Sequence, residues 1–191
     1  LRIDIIYILL FTFKFFLQMN IFLIGMMGSG QSSVGHSLSK HLTHTFYDLD
    51  KGVEKRFNLS IKDIFSEYDE ELFRKEENAL LKEVDTSSNV IISTGGGIVL
   101  LEENRKILKN HKTYFLEANI EDMYERASKR KNDRPLLKGM NIKQFEDLYF
   151  QRKKLYLECA ATTINVDKKS IEDITTEIIN NEKNSKKRRN E

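Results

Sequence analysis

The sequence predicts a single α/β domain built on an open parallel sheet. Short apolar segments that suit strands alternate along the chain with amphipathic segments that suit helices. The segment Val90-Ile-Ile-Ser93 is almost entirely apolar, which is expected of a strand covered on both faces of a parallel sheet. A glycine-rich loop joins the first predicted strand to the first predicted helix, and open α/β sheets bind ligands at such junctions.

Length and composition support one soluble, globular domain. The chain has 191 residues, of which 40% are hydrophobic and 31% charged, and this balance is not that of a disordered protein. A net charge of +2 gives no indication of nucleic-acid binding. The single cysteine, Cys159, cannot form an internal disulfide, which favours a reducing, cytoplasmic location.

The two ends of the chain differ from the rest. Residues 1–18 are apolar but carry Asp4 and Lys14, and they are shorter than a membrane span requires. They lack a small-residue cleavage site, and Met19 stands directly before the first predicted strand. We interpret them as a spurious N-terminal extension, with a membrane anchor as the alternative. The domain then covers 19–181, and the basic stretch 182–191 is expected to be a disordered tail.

Residues 25–33 carry the main functional motif. Gly25-Met-Met-Gly-Ser-Gly-Gln-Ser-Ser33 follows the phosphate-binding pattern G-x-x-x-x-G-K-[ST], except that Gln31 replaces the lysine. Glycines let the backbone turn its N–H groups toward phosphate, and the helix N-terminus adds a positive dipole end. Ser32 holds the position that offers a hydroxyl to Mg²⁺. The residues expected to bind ATP in this loop are Gly28, Ser29, Gly30, Gln31, Ser32 and Ser33.

Hydrophobic periodicity places the remaining elements in order. Helices are predicted at residues 32–42, 51–57, 61–67, 70–84, 102–109, 120–129, 143–160 and 171–181, and strands at 46–50, 90–93, 113–116 and 162–166. Asp48 and Asp50 end the strand at 46–50, and three glycines follow the strand at 90–93. We expect these groups and the phosphate loop to meet at the carboxyl edge of the sheet. The polar segment 130–141, with the only proline, is expected to be a mobile loop.

The motifs in this order resemble those of the shikimate kinase family over residues 19–181. Beyond the loop they are Phe46-Tyr-Asp-Leu-Asp50, Phe73-Arg74, Ser93-Thr-Gly-Gly-Gly97, Arg134-Pro-Leu-Leu137 and Arg152 before Leu155-Tyr156. The resemblance implies a three-layer P-loop kinase fold: an open parallel sheet of about five strands, helices on both faces and a mobile lid. It further implies a cytoplasmic monomer that uses ATP and Mg²⁺ to phosphorylate the 3-hydroxyl of shikimate in aromatic amino-acid biosynthesis.

On the substrate side, the resemblance assigns four residues. Asp50 is expected to accept a hydrogen bond from the attacking hydroxyl and to act as general base. Arg74 and Arg152 are expected to bind the carboxylate of shikimate, for which planar guanidinium groups are suited. Gly96 is expected to approach the substrate through its backbone.

On the nucleotide side, Asp48 is expected to hold Mg²⁺ through water, together with Ser32. Arg134 is expected to be a lid arginine that closes over the phosphates and stabilises charge in the transition state. Lys169, or its neighbour Lys168, falls where the family touches adenine.

Gln31 leaves three explanations open. Glutamine supplies no charge, and a charge pair at about 4 Å and an effective dielectric of about 20 is worth roughly 4 kcal/mol. The glutamine could be an engineered or erroneous change, it could be compensated by Lys40, Arg130 or Arg134, or it could mark a nucleotide-binding pseudo-kinase. Because the other catalytic-type residues are present, we favour a kinase with lowered or rescued activity. A kinase of another metabolite, such as gluconate, is disfavoured by Phe73-Arg74 and the triple glycine.

Overall fold

The computed structural model describes residues 20–85, 89–129, 135–137 and 139–187. Five parallel strands form one sheet in the order β2-β3-β1-β4-β5. The strands are β1 (Ile21–Ile24), β2 (Thr45–Asp48), β3 (Val90–Ser93), β4 (Lys112–Glu117) and β5 (Thr162–Asn165). The predicted open, all-parallel sheet of five strands is confirmed.

Helices connect the strands throughout the described residues. They are α1 (Gln31–Leu42), α2 (Leu49–Phe57), α3 (Ile61–Glu67), α4 (Glu70–Asp85), α5 (Glu102–Lys109), α6 (Ile120–Ser128), α7 (Ile142–Cys159) and α8 (Ile171–Lys187). Short 3-10 turns occur at Ile98–Leu100 and Pro135–Leu137. Several helices begin at a side-chain cap: Asp48 caps α2, Ser60 caps α3 and Asn119 caps α6.

The centre of the sheet is covered on both faces. Successive side chains of β1 point to opposite faces, and all four are 0% exposed. The edge strands β2 and β5 are partly exposed. Because the chain leaves β1 toward β2 on one side and later crosses to β4 on the other, the loop after β1 lies where the strand order reverses, which is the usual ligand site of such sheets.

Two of the boundaries that differ from the sequence prediction change the interpretation. Strand β2 ends at Asp48, so Asp50 lies in the first turn of α2 and not on the strand. Helix α8 runs to Lys187, well beyond the expected end at Asn181, so residues 182–187 are helical where we expected a disordered tail. The buried carboxylate of Glu182 accepts a hydrogen bond from Tyr114 and pairs with Lys112, which anchors the extended helix to β4.

Other expectations fall outside the described residues. The suspected extension at residues 1–18 and the predicted lid residue Arg134 both do so, whereas residues 135–137 of the expected mobile loop form a 3-10 turn. Within the part of the chain that is described, no helix is both long and apolar enough to cross a membrane.

Candidate active site

The phosphate-binding loop has the backbone geometry that its glycines predict. Gly28 and Gly30 have φ angles of 88° and 100°, a region that residues with a Cβ rarely adopt. Gly30 precedes the first residue of α1, and no side chain caps that helix. The N–H groups of its first turn are therefore open to an anionic ligand, and the helix dipole favours a phosphate there.

Oxygen donors converge next to this loop. Ser32 Oγ donates a hydrogen bond to Asp48 Oδ2 at 2.8 Å and lies 3.2 Å from Ser93 Oγ. All three residues line the pocket at the carboxyl edge of the sheet. A hydroxyl and one carboxylate suit Mg²⁺, which takes few protein oxygens and keeps waters and phosphate oxygens as its other ligands. The described residues contain no group of three acidic, histidine or cysteine side chains that would suggest a site made by the protein alone.

Gln31 occupies the lysine position of the motif but points back into the protein. Its side-chain Nε2 donates to the carbonyl of Gly25 at 2.9 Å and to the carbonyl of Thr94 at 3.2 Å. The residue is 8% exposed and lines the pocket. The sequence prediction placed it in the nucleotide site, but nothing in the sequence indicated these two backbone partners.

The triple glycine passes close to the acidic and basic side chains of the pocket. A Cβ added at Gly95 would lie 2.5 Å from Asp50 Oδ1 and 3.1 Å from Glu77 Oε1, and one added at Gly97 would overlap the guanidinium of Arg74. A side chain at either position would therefore displace these charged groups from their present places. Asp50, the predicted base, and Arg74, a predicted carboxylate binder, therefore lie along the same short glycine-rich stretch of the pocket wall.

Arg74 is held by two carboxylates on its own helix. Its Nη1 donates to Glu77 Oε2 at 2.9 Å, while its Nε and Nη2 donate to Glu70 Oε1 at 3.2 and 2.9 Å. Burial opposes the positive charge, but Glu77 and Glu70 outweigh it and raise the pKa of Arg74. Among the described residues three of its five N–H groups are thus engaged, which leaves two donors for a ligand, and the guanidinium lies over the ring of Phe73.

Arg152, the second predicted carboxylate binder, has fewer hydrogen-bond partners than Arg74 among the described residues. It is only 5% exposed, and its Nε and Nη1 are buried without a hydrogen-bond partner among the described residues. Arg152 is therefore not a solvated surface residue, although two lysines follow it in the sequence. A buried guanidinium with unpartnered donors at a pocket wall is suited to a planar carboxylate.

Two further residues belong to the site, and sequence reasoning missed their roles. Glu77 is 0% exposed; burial raises the pKa of its carboxyl, and Arg74 and Arg152 oppose that rise. The hydroxyl of Tyr156 donates to the carbonyl of Gly96 at 2.5 Å, and its ring stacks on Phe115. The spacing of Arg74 and Glu77, three residues apart on a predicted helix, was the one available signal for Glu77.

Some predicted residues lie away from this pocket. Lys169 follows β5 and pairs with Glu177 at 2.6 Å, so its adenine contact stays a prediction. Ser33 is exposed on α1. Lys40 is exposed in the last turn of that helix, about 13 Å from Gln31 along its axis, and cannot replace the missing lysine.

The pocket combines polar groups with an apolar wall formed by Ile61, Phe65, Phe73 and Leu136. A phosphate-binding loop, a hydroxyl–carboxylate pair for Mg²⁺ and a cationic pocket beside a second carboxylate define a P-loop kinase that acts on a small anionic metabolite.

Comparison with known proteins identifies the family within this class. The family model of shikimate kinase matches residues 27–183, and the chain belongs to the shikimate kinase family. The shikimate kinase of Nitrosospira multiformis is 42% identical over 153 residues, 79% of this chain and 78% of that protein. That of Enterococcus faecalis is 38% identical over 162 residues, 84% of this chain and 96% of the other.

Solved structures agree with this assignment. Shikimate kinase from Acinetobacter baumannii in complex with shikimate superposes with a TM-score of 0.82 at 32% identity, covering 87% of this chain and 94% of that one. The enzyme from Aquifex aeolicus gives a TM-score of 0.74 at 40% identity, covering 84% and 94%. The P-loop kinase fold implied by the sequence resemblance is thereby confirmed.

Proposed function

We propose that this protein is a shikimate kinase, which transfers the γ-phosphoryl group of ATP to the 3-hydroxyl of shikimate. The observation that carries the proposal is the buried guanidinium of Arg152, which lines the pocket beside the phosphate-binding loop and whose Nε and Nη1 have no hydrogen-bond partner among the described residues. A substrate that carries a carboxylate satisfies those donors while its hydroxyl faces Asp50 and the loop. Family membership supports the same substrate.

In this reaction the 3-hydroxyl oxygen forms a bond to the γ-phosphorus, and the bond from that phosphorus to the β,γ-bridging oxygen breaks, releasing ADP. Asp50 accepts the proton of the hydroxyl. Phosphoryl transfer requires mainly positioning and charge stabilisation, because the transition state is loose. The loop N–H groups hold the phosphates, and Arg74 and Arg152 orient shikimate through its carboxylate.

Mg²⁺ fits the oxygen donors beside the loop. Ser32 and Asp48 would hold it, Asp48 through water, since their oxygens already meet at 2.8 Å. When bound, the ion neutralises charge on the phosphates. Arg134 and Lys169 remain proposed contacts of the nucleotide, to its phosphates and its adenine respectively.

We also propose that the protein works as a cytoplasmic monomer. Cys159, its only cysteine, is a buried free thiol, which suits a reducing compartment. One copy of the chain supplies Ser32 of the loop, Asp50 and Arg152 to the same pocket, which supports a monomeric enzyme.

The test is a steady-state assay of ADP release with MgATP, with and without shikimate, on the wild type and on Asp50→Asn. We expect release that depends on shikimate in the wild type and a loss of at least a hundredfold in the variant. Gln31 supports one rival, a pseudo-kinase that binds nucleotide without transferring phosphate. That rival requires MgADP to bind while both the wild type and Gln31→Lys release ADP at the background rate.

A further inference from the structure

The amide of Gln31 joins two segments that are far apart in sequence. Its acceptors are the carbonyl of Gly25, at the start of the phosphate-binding loop, and the carbonyl of Thr94, just after β3. Both neighbours are carbonyl oxygens, which only accept hydrogen bonds, so the nitrogen of the amide must face them. The two amide hydrogens are therefore both engaged.

Thr94 is itself tied to the central strand. Its backbone N–H and its Oγ1 both donate to the carbonyl of Leu23 in β1, at 3.2 and 3.1 Å. The segment Thr94–Gly97, which we call the glycine segment, then continues along the pocket wall past Asp50 and Arg74. We call the part of the pocket around Asp50, Arg74 and Arg152 the shikimate half-site. A contact that fixes Thr94 therefore also fixes the backbone that lines this half-site.

The side chain at position 31 determines what this contact can do. A lysine ammonium carries three hydrogens, so it can serve two carbonyls and still offer one donor to a phosphate. The glutamine amide carries two hydrogens and has none left in the arrangement seen here. To contact a phosphate through its nitrogen, Gln31 must break one of these two hydrogen bonds and leave a carbonyl without that partner. The neutral amide would gain no charge–charge attraction to the phosphate in return.

We propose that Gln31 is a positioning residue that ties the phosphate-binding loop to the glycine segment, and that it shapes the shikimate half-site instead of binding the nucleotide phosphates. That the ligand of this half-site is shikimate rests on the proposed function. A change at position 31 of the phosphate-binding loop should therefore weaken the binding of shikimate, even when no nucleotide is present.

The experiment measures shikimate binding without nucleotide, by calorimetry because the chain has no tryptophan. Gln31→Met keeps the length of the side chain and removes both donors, Gln31→Asn keeps the amide but shortens its reach, and Gln31→Lys keeps donors that reach both carbonyls. Gln151→Met is the matched control, since Gln151 is exposed on α7. Melting temperatures without ligand are measured for all four variants, and MgADP binding is measured alongside.

We expect Gln31→Met and Gln31→Asn to raise the shikimate Kd about tenfold and to lower the melting temperature by about 3–8 °C. For Gln31→Lys, the shikimate Kd should stay within about threefold and the melting temperature within about 2 °C of the wild type. Gln151→Met should leave both unchanged. The proposal is overturned if Gln31→Met or Gln31→Asn weakens MgADP while shikimate binds as in the wild type. That pattern would make Gln31 a phosphate ligand.

The readouts also separate this proposal from the proposed function. If the wild type binds no shikimate, the proposed function fails, and the ligand-free melting temperatures decide the role of Gln31. A drop confined to Gln31→Met and Gln31→Asn would still support a tie between the two segments. Equal melting temperatures for all four variants and the wild type would overturn it.

Discussion

Replacing Arg152 with methionine should selectively abolish tight binding of shikimate. Methionine fills a similar volume without charge, so it limits the cavity that a smaller residue would leave. Two donors of Arg152, Nε and Nη1, are buried without a partner among the described residues, and the residue lines the pocket, so we expect its guanidinium to bind a carboxylate. A hydrogen bond to a charged group contributes about 1.5–3 kcal/mol.

Two such bonds give an upper bound of about 6 kcal/mol, but removing a buried guanidinium also relieves its desolvation cost. We therefore expect a net loss of about 3 kcal/mol, which corresponds to a rise of about a hundredfold in the KM or Kd for shikimate. The KM for ATP should change by less than about threefold, because we propose that the nucleotide binds at the loop after β1.

The assay is steady-state kinetics with each substrate varied in turn, supported by calorimetric titration of shikimate. Lys154→Met is the matched control, because Lys154 is exposed on the same helix two residues away. Arg152→Lys, which keeps the charge but not the planar fork, should be intermediate. Equal losses for ATP and shikimate would refute the reasoning, since they would show that Arg152 supports the fold and not the ligand.

Three further predictions use other parts of the molecule. Gln31→Lys should raise kcat about 100- to 1,000-fold and tighten MgATP far less, because a charge worth roughly 4 kcal/mol acts mainly in the transition state; an unchanged kcat would place the needed cation elsewhere. Tyr156→Phe removes the hydrogen bond to Gly96 and should raise the KM for shikimate about tenfold, with the KM for ATP constant; a lower melting temperature with both KM values unchanged would contradict this. Burial raises the pKa of Cys159 to about 11, so at pH 8 its thiol should react with an aromatic disulfide reagent in urea but not in the folded protein; rapid reaction of the native protein would show that the thiol is accessible.

Local chemistry explains why so much could be predicted from the sequence. Strand β3 and helices α3 and α5 have the predicted bounds, because their hydrophobic periodicity and their flanking polar residues are local features. The phosphate-binding loop could also be predicted from the sequence, because glycine favours positive φ angles, and Gly28 and Gly30 adopt such angles. The parallel sheet followed from the alternation of strands and helices.

The limits of sequence reasoning appear where a side chain finds a partner far along the chain. The run Arg152-Lys-Lys gives no sign that its first residue is buried and the third exposed, because burial depends on which face of α7 packs inward. Helix α8 was expected to end at Asn181, and its continuation depends on the contact of Glu182 with β4, about seventy residues earlier.

The sequence by itself determined the class of fold, the phosphate-binding loop and the residue types gathered at the carboxyl edge of the sheet. Periodicity, glycine positions and short motifs record these features within a few residues of one another. Only the tertiary structure decided that Gln31 bonds the backbone at Gly25 and Thr94, and that Glu77 lies fully buried against Arg74. These arrangements depend on distances between separate elements, and those distances exist only once the sheet and its helices have packed.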